Sequence, residues 1–336
     1  MSADRVSLVA TVLNEAGNLG EWWTSIAGQT LSPDEVVVVD GGSRDGTVEL
    51  LREMAEMAPF PVRVEVREGV NIARGRNKAI RLAAHDIIAV TDAGCVLAPD
   101  WLERITAPLR GGGGIDLVAG FYQPLTGNWF EEVSACATLP LPWEAREGRF
   151  MPSSRSIAFR RRVWERAGGY PEWLDIGEDM YFNHAWKGLG MAHKLEKEAL
   201  VYWRMRGDLR SLLRQYFLYA RGDGESGMYP QRHLLRFATY GWLAFVVLPG
   251  RGRRFLPATA AAGSLYAGRR WLRIPVYLQG RGAGEKAAAV PAVAALMLGI
   301  DAAKMAGYLA GLARRSPILR GRRETEQAAT GGRDAG

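Results

Sequence analysis

Residues 35–47 read Glu-Val-Val-Val-Val-Asp-Gly-Gly-Ser-Arg-Asp-Gly-Thr, a β-branched apolar run that ends in a polar turn. Two other runs share this design: residues 6–10 lead into 11–15, and residues 87–90 lead into 91–94. Each run is unbroken and about five residues long, as expected of a strand buried on both faces of a parallel sheet. The three runs therefore predict three parallel strands.

Helical patterns lie between and after these runs, with apolar side chains at helical spacing. The segments are 19–26, 48–55 and 79–83. Alternating strands and helices favour an α/β fold whose polar loops gather at the carboxyl ends of the strands, where open parallel sheets bind their ligands. Thr11, Asp40 and Asp92 are then expected to lie close together.

The order of the glycines argues against two common nucleotide sites. Residues 41–46 lack the G-x-G-x-x-G order of a dinucleotide site, and the P-loop pattern G-x-x-x-x-G-K-[ST] occurs nowhere in the chain. A Rossmann dehydrogenase and a P-loop enzyme are both disfavoured.

Several motifs follow one another in a fixed order along the chain. They are residues 6–15, Gln29-Thr30, residues 36–47, residues 73–77, residues 91–94 and Gly177-Glu178-Asp179. In this order they resemble the motifs of family 2 glycosyltransferases, over roughly residues 5–225. The resemblance implies a GT-A fold, a mostly parallel α/β sheet flanked by helices, that binds a nucleotide-diphospho-sugar.

The resemblance also assigns roles to individual residues. The donor-binding positions are Thr11, Asn14, Glu15, Asp40, Arg74, Arg76 and Asp92. Asp92 matches the first acid of the D-x-D motif, and Asp179 matches the catalytic base, with Glu178 beside it as a second catalytic candidate. The cation near the base or diphosphate is either Arg74 or Arg76.

A divalent metal, Mg²⁺ or Mn²⁺, is the cofactor that the resemblance implies, with Asp92 as its ligand. The third position of the D-x-D motif is Gly94, and near Trp203, where many relatives have a metal-ligating histidine, this chain has none. We therefore expect a divalent ion to bind weakly without the donor, and mainly through diphosphate oxygens.

The chemistry can be argued from the residues themselves. A sugar hydroxyl is a poor nucleophile and a diphosphate leaves only if its charge is met, so the site needs a base and cations. Asp179 and the two arginines provide both, and a single base without a second carboxylate nucleophile predicts inversion. The alternatives are a nucleotidyltransferase acting on a sugar phosphate and a nucleotide-sugar-binding protein without turnover.

The acceptor side is predicted just before the acidic doublet. Residues 153–161 and the glycines at 168–169 are typical of a strand, a basic turn and a helix that ends at glycine. Trp173 and Trp186 could then stack on sugar rings.

Basic charge is concentrated in the C-terminal part of the chain. Residues 201–336 contain 22 Lys and Arg against 8 Asp and Glu, whereas residues 1–200 contain 21 against 28. Residues 202–224 indicate a basic amphipathic helix that closes on a glycine turn. Within it, Arg204 and Arg221 lie where membrane-associated relatives have basic residues near the diphosphate and acceptor.

Two apolar stretches follow, at residues 237–248 and 287–300, each flanked by arginines. Neither reaches about 18 uninterrupted apolar residues, the usual sign of a spanning helix. They suit helices that lie in, or dip into, an anionic membrane surface, and the alternative is a buried pair in a soluble domain. No nucleic-acid-binding motif accompanies the basic residues, so a membrane surface is favoured over nucleic acid.

Three regions are predicted: a GT-A domain at 1–230, an apolar and basic membrane-associated helical region at 231–320, and a disordered tail at 321–336. Residues 1–5 carry no apolar signal segment, so the catalytic half is expected at the cytoplasmic face of the cell membrane. Cys95 and Cys136 are too few for a disulfide framework. The expected partners are a nucleotide-sugar donor and a saccharide or lipid-linked acceptor.

Overall fold

The computed structural model describes the backbone of residues 4–248 and 251–331, without the side chains of 112, 251 and 316–331. The chain forms two compact units. The sheet unit comprises the chain up to Leu125 together with Pro140–Arg204, and the helical unit comprises Thr126–Leu139 together with the chain from Met205 onward. The sheet unit thus ends before the predicted boundary at 230.

The first half of the sheet unit alternates strands and helices. Its elements are β1 (Val6–Val12), α1 (Ala16–Ala27), β2 (Glu35–Asp40), α2 (Thr47–Glu56), β3 (Val62–Val66), α3 (Ile72–Leu82) and β4 (Ile87–Val90). β1 pairs in parallel with β2 and β4, which confirms the three predicted strands and their neighbourhood. β3 was not predicted because Arg63 and Glu65 interrupt its apolar run at the edge of the sheet.

The second half of the unit makes the sheet mixed. Its elements are β5 (Cys95–Leu97), α4 (Trp101–Thr106), β6 (Leu117–Leu125), β7 (Ile157–Arg160), α6 (Arg161–Arg166), α7 (Glu178–Gly188) and β8 (His193–Arg204), with α5 (Trp129–Thr138) assigned to the helical unit. Among the described residues the strand order is β3-β2-β1-β4-β7-β6-β8-β5. β7 runs antiparallel to β4 and β6, so the carboxyl end of β4 faces the segment that enters β7.

Both faces of the sheet are buried, as the unbroken apolar runs require. Leu8 and Val36 lie in the core on one face, together with Trp22 and Trp101. Val9 lies in the core on the other face, and the remaining members there include Val37, Val39, Val90, Phe159 and Trp186. Alternate residues of one strand thus enter opposite cores. This alternation fixes the register of the strands, and with it the residue at which each following loop begins.

The helical unit is built around α5 and the C-terminal helices. These are α8 (Leu209–Ser226), α9 (Pro230–Val247), α10 (Leu256–Trp271), α11 (Ile274–Tyr277) and α12 (Ala283–Gly331). The prediction of a basic helix over 202–224 was wrong in its boundaries. Tyr202 to Arg204 end strand β8, and α8 continues through Gly222 and Gly224 to a left-handed cap at Gly227.

Glycines allow α8 and α12 to approach each other closely. A Cβ atom on Gly307 would lie 2.1 Å from the carbonyl oxygen of Phe217, and one on Gly311 would lie 2.1 Å from that of Arg221. Gly224 approaches the backbone of α12 in the same way. Tertiary contact therefore keeps these glycines inside helices, against their weak helix propensity.

Asp301, which directly follows the second apolar stretch, has two structural partners. Arg236 of α9 donates to Asp301 of α12 at 2.7 Å, and the hydroxyl of Tyr240 donates to the same carboxylate at 3.1 Å. Asp301 thus joins two helices of this unit.

One described helix segment, Ala283–Arg315, is long and apolar enough to cross a membrane, with a mean hydropathy of 1.5 and 22% of its apolar window buried. Core helices of soluble proteins also satisfy these criteria of length and composition. The tail was predicted to be disordered from 321, whereas the described backbone continues α12 to Gly331. Residues 332–336 lie outside the described residues.

Replacing Gly307 by Ala tests the close packing of α8 and α12. The added methyl group would overlap the backbone of Phe217, so we expect a loss of about 1–3 kcal/mol in the stability of the helical unit. Gly241→Ala in α9 is the matched control, because a Cβ atom there meets nothing within 4 Å. It should stabilise by about 0.5–1 kcal/mol. Thermal unfolding in mild detergent measures both, and equal midpoints would contradict the close approach.

Candidate active site

The loops after β1 and β2 are held together by a buried carboxylate. Asp40 is fully buried and accepts hydrogen bonds from the backbone N–H groups of Gly42 and Ser43, both at 2.8 Å. The Ser43 hydroxyl also donates to it, and accepts from the backbone N–H of Asn14 at 2.7 Å. Asp40 therefore shapes the turn at the predicted donor site.

Asn14 and Glu15 belong to the loop after β1, which contacts the loop after β2. The Asn14 side-chain oxygen accepts from the backbone N–H of Arg44 at 3.0 Å, and the Glu15 N–H donates to the Thr47 hydroxyl at 2.9 Å. Asn14 is exposed and has a left-handed backbone, with φ of 53°. The two loops thus form one polar rim.

Thr11 lies where helix α3 approaches strand β1. A Cβ atom on Gly75 would lie 2.3 Å from the Thr11 methyl group, so only glycine allows this approach. The Thr11 hydroxyl is buried and has no hydrogen-bond partner among the residues that the structure describes. Gly75 separates the two arginines of α3, and its contact with β1 fixes where each of them points.

Arg74 and Arg76 differ sharply in their surroundings. Arg76 has a side chain only 2% exposed, and it donates to Asp92 at 2.7 Å and to Glu178 through a second nitrogen. Arg74 is more than half exposed, with a loose ion pair of 3.9 Å to Glu172. The structure thus places Arg76 inside the carboxylate cluster and Arg74 at the surface.

The charges of this cluster shift one another's pKa values. Burial lowers the pKa of Arg76, but the charges of Asp92 and Glu178 outweigh it, so its pKa lies above the ordinary value. For Glu178, burial raises the pKa, Arg76 lowers it and the neighbouring Asp179 raises it, and the net direction is upward. Glu178 is buried and already accepts from Arg76, so it is poorly placed to reach the proton of a ligand.

Asp179 occupies the adjacent position with a different environment. It lies in the first turn of α7, is partly exposed, and accepts a hydrogen bond from the Met180 N–H at 2.8 Å. The Ser153 hydroxyl donates to its other oxygen at 3.3 Å. Asp179 is therefore the carboxylate of the doublet that a ligand can reach.

Ser153 and Arg155 are functional candidates that sequence reasoning did not assign individually. The Arg155 guanidinium stacks on the Trp203 ring at 4.1 Å, lies 3.9 Å from Asp92 and donates to the Ser153 hydroxyl at 2.9 Å. The sequence signal was only the basic, serine-rich character of residues 153–161. Their relation to Asp92 comes from antiparallel pairing of β7 with β4.

The remaining predicted residues lie apart from this cluster or inside the core. Arg204 ends β8 and pairs with Glu21 at 2.6 Å on the surface of the sheet unit. Arg221 belongs to α8 of the helical unit and pairs with Glu225 at 3.3 Å. The proposed sugar stacking by Trp186 is wrong, because its side chain is fully buried in the core. Trp173 is partly exposed and packs edge-on against Tyr181.

The residues around Asp92 do not make a fitting site for a protein-bound divalent metal. Within residues 4–248 and 251–331, no group of three or more His, Cys, Asp or Glu side chains is placed to hold one. Asp92 is the only carboxylate of its motif, and both of its oxygens face guanidinium groups. Hard cations prefer several oxygen ligands, which this cluster does not offer.

Arg76→Met tests whether the buried ion pairs organise the site. The substitution would leave Asp92 and Glu178 without their shared cation, so we expect a loss of about 3–5 kcal/mol in the free energy of unfolding. Arg74→Met is the control, with an expected change within about 0.5 kcal/mol because Arg74 is exposed. Urea unfolding measures both. Similar stabilities for the two variants would contradict the central role of Arg76.

Comparison with known proteins agrees with this geometry. Residues 7–161 match the family described as Glycosyl transferase family 2. The chain is 28% identical over 251 residues to Glycosyltransferase AglE of Haloferax volcanii, covering 73% of this chain and 81% of that protein. It is 25% identical over 293 residues to the Succinoglycan biosynthesis protein ExoA of Rhizobium meliloti, covering 82% and 83%.

A solved structure is similar in fold. It is the mannosyltransferase PcManGT from Pyrobaculum calidifontis, in complex with GDP-Man and Mn²⁺, with a TM-score of 0.54 and 22% identity. The alignment covers 92% of this chain and 87% of that one, and at this identity the likeness concerns the fold alone. Together with the ordered motifs, these matches show a glycosyl transferase family 2 domain in residues 7–161, within a chain that has the GT-A fold.

Proposed function

We propose that the protein transfers a sugar from a nucleoside-diphosphate sugar to a hydroxyl acceptor, with inversion at the anomeric carbon. The acceptor oxygen bonds to the anomeric carbon as its proton passes to the Asp179 carboxylate. The bond from that carbon to the diphosphate oxygen breaks, and its electron pair leaves with the diphosphate. A single displacement of this kind needs one base and no carboxylate nucleophile.

The observation that carries this proposal is the ion-paired chain Glu178–Arg76–Asp92. It links the first turn of α7 to the turn that follows β4, which is where a parallel sheet receives its ligand. Asp179 thereby has a fixed place next to the predicted donor site. The burial and ion pairing of Glu178 support assigning the base to Asp179 and a positioning role to Glu178.

The alternative of a nucleotidyltransferase is less well supported. Such an enzyme would need a nucleotide half but not an acceptor-side base, whereas Asp179 is partly exposed and held by Ser153. Binding without turnover is also less well supported, since Asp179 and Arg155 lie near each other where our proposal needs a base and a cation. The family match supports transfer of the sugar.

We place the helical unit against the cytoplasmic face of the cell membrane. Large apolar side chains of α9, α10 and α12 are exposed, among them Leu234, Leu265 and Leu309, with exposures of 71%, 79% and 55%. So many exposed large apolar side chains on these helices favour an interaction surface. Arginines along the same helices complement anionic head groups, with each contributing about 1 kcal/mol near the surface.

A lipid-linked saccharide is the acceptor that we propose, and a cavity of the helical unit supports it. The cavity lies among α9, α10 and α12 and has a volume of about 640 Å³, within the range of ligand sites. Leu235, Leu243 and Met297 contribute apolar walls and Arg232 lines it as a cation, while Arg236 is paired there with Asp301. Such a lining suits an apolar chain with an anionic head. The printed role of ExoA in succinoglycan biosynthesis supports a saccharide acceptor.

Asp179→Asn should lower sugar transfer by roughly 10²–10⁴-fold, because the base is removed while the shape is kept. Donor affinity should change little, since the donor contacts lie at the strand ends. Released nucleoside diphosphate is measured over a panel of UDP-, GDP- and dTDP-sugars, with a detergent-solubilised lipid extract as the acceptor source. Asp175→Asn, an exposed carboxylate of the preceding loop, is the control. If Asp179→Asn turned over at the wild-type rate, Asp179 would not be the catalytic base.

Exposed apolar residues of the helical unit should hold the protein on membranes. Leu234→Glu and Leu265→Glu should each weaken vesicle binding about tenfold, because a buried leucine contributes about 1.5–3 kcal/mol. Flotation with vesicles containing anionic lipid, at low and high salt, measures binding. Met57→Glu, at an equally exposed position of the sheet unit, should leave it unchanged. A wild-type chain that stays free of vesicles at low salt would refute membrane association.

A further inference from the structure

We propose that Arg155 supplies, at the donor diphosphate, the positive charge that a second acidic residue of the motif would otherwise recruit as a bound metal ion. This chain would then bind its donor without a divalent cation. The inference rests on the proposed function, since it requires a nucleoside-diphosphate donor at the turn after β4.

The first step of the argument is the space at Gly94. A Cβ atom built on Gly94 meets nothing within 4 Å, so the place of the second acidic side chain is open. Cys95 follows immediately and is paired with Trp203 across β5 and β8. Trp203 is thus in register with the residue after Gly94, and Arg155 stacks on the Trp203 ring.

The second step is the way in which Arg155 is held. Its guanidinium lies 4.1 Å from the centre of the Trp203 ring, 3.9 Å from Asp92 and within hydrogen-bond distance of the Ser153 hydroxyl. Stacking and hydrogen bonding leave fewer orientations to be lost on binding, so a phosphate contact costs less entropy. Ser153 also donates to Asp179, which connects this arginine to the proposed base.

The third step separates the two arginines that face Asp92. Arg76 is 2% exposed and shared between Asp92 and Glu178, so it cannot reach a ligand without breaking buried ion pairs. Arg155 is more exposed, with 19% of its side chain accessible. Arg76 therefore neutralises Asp92 from inside, and Arg155 presents charge to the ligand side.

The fourth step is chemical. A guanidinium offers several N–H donors in a planar array that matches phosphate oxygens, and its charge is permanent. The diphosphate gains negative charge as the glycosidic bond to it breaks, so a fixed cation stabilises the departing group. Arg155 can thus perform the electrostatic part of a metal ion's role with residues of this chain alone.

The test is calorimetric titration of the full-length protein with UDP, GDP, dTDP and ADP, in EDTA and in MnCl₂. We expect the preferred diphosphate to bind in EDTA within about threefold of its affinity in Mn²⁺, if one charge replaces the other. Arg155→Met should weaken binding in EDTA about 10- to 100-fold, as expected for a lost hydrogen bond between charged groups. The affinity of Arg155→Lys in EDTA should lie between those of the wild type and Arg155→Met, because lysine keeps the charge but not the planar array of donors.

Gly94→Asp provides an independent variant, because the open space accepts its side chain. The added carboxylate should weaken binding in EDTA by repulsion, and Mn²⁺ should restore it, giving a metal dependence that the wild type lacks. Arg162→Met is the control, since Arg162 follows the opposite end of β7. Thermal unfolding midpoints show whether each variant is folded.

Several results would overturn the inference. They are wild-type binding that requires Mn²⁺, an Arg155→Met variant with unchanged affinity in EDTA, and a folded Gly94→Asp variant that is indifferent to Mn²⁺. A folded wild type that binds none of the four diphosphates in either condition would instead count against the proposed reaction itself. The two failures are therefore distinguishable.

Discussion

The site depends on one buried cation, the guanidinium of Arg76, which is shared by Asp92 and Glu178. A buried charge is costly unless it is paired, so these three residues constrain one another. They belong to α3, the turn after β4 and α7, and Glu178 lies 102 residues after Arg76. Their pairing ties the first turn of α7, and with it Asp179, to the turn that follows β4.

A second constraint positions Arg76 itself. Gly75 brings α3 against Thr11 of β1 so closely that no side chain could replace its hydrogen. The close approach directs the preceding arginine to the surface and the following one into the carboxylate cluster. Glycine has a low helix propensity, yet Gly75 is needed inside α3 because it allows the approach that positions the charged side chains of the site.

The two units differ in the chemistry of their surfaces. The sheet unit gathers buried and partly buried charge around one end of the strands, as a diphosphate ligand requires. The helical unit instead exposes leucines and arginines along its helices, and its glycines allow α8 and α12 to pack closely. In our proposal, the first surface does the chemistry and the second holds the enzyme near an amphiphilic acceptor.

The sequence by itself determined the three central strands, the helices between them and the resemblance to family 2 glycosyltransferases, because unbroken β-branched runs and ordered turn motifs are local signals. It also brought Asp92, Arg76 and the acidic doublet together as candidates, through the motifs. Only the tertiary structure decided that Arg76 is buried while Arg74 is exposed, that Trp186 is core, that α8 ends at Gly227, and that Arg155 faces Asp92. The physical reason is that burial, ion pairing and close backbone approach depend on long-range strand and helix contacts, which no local pattern encodes.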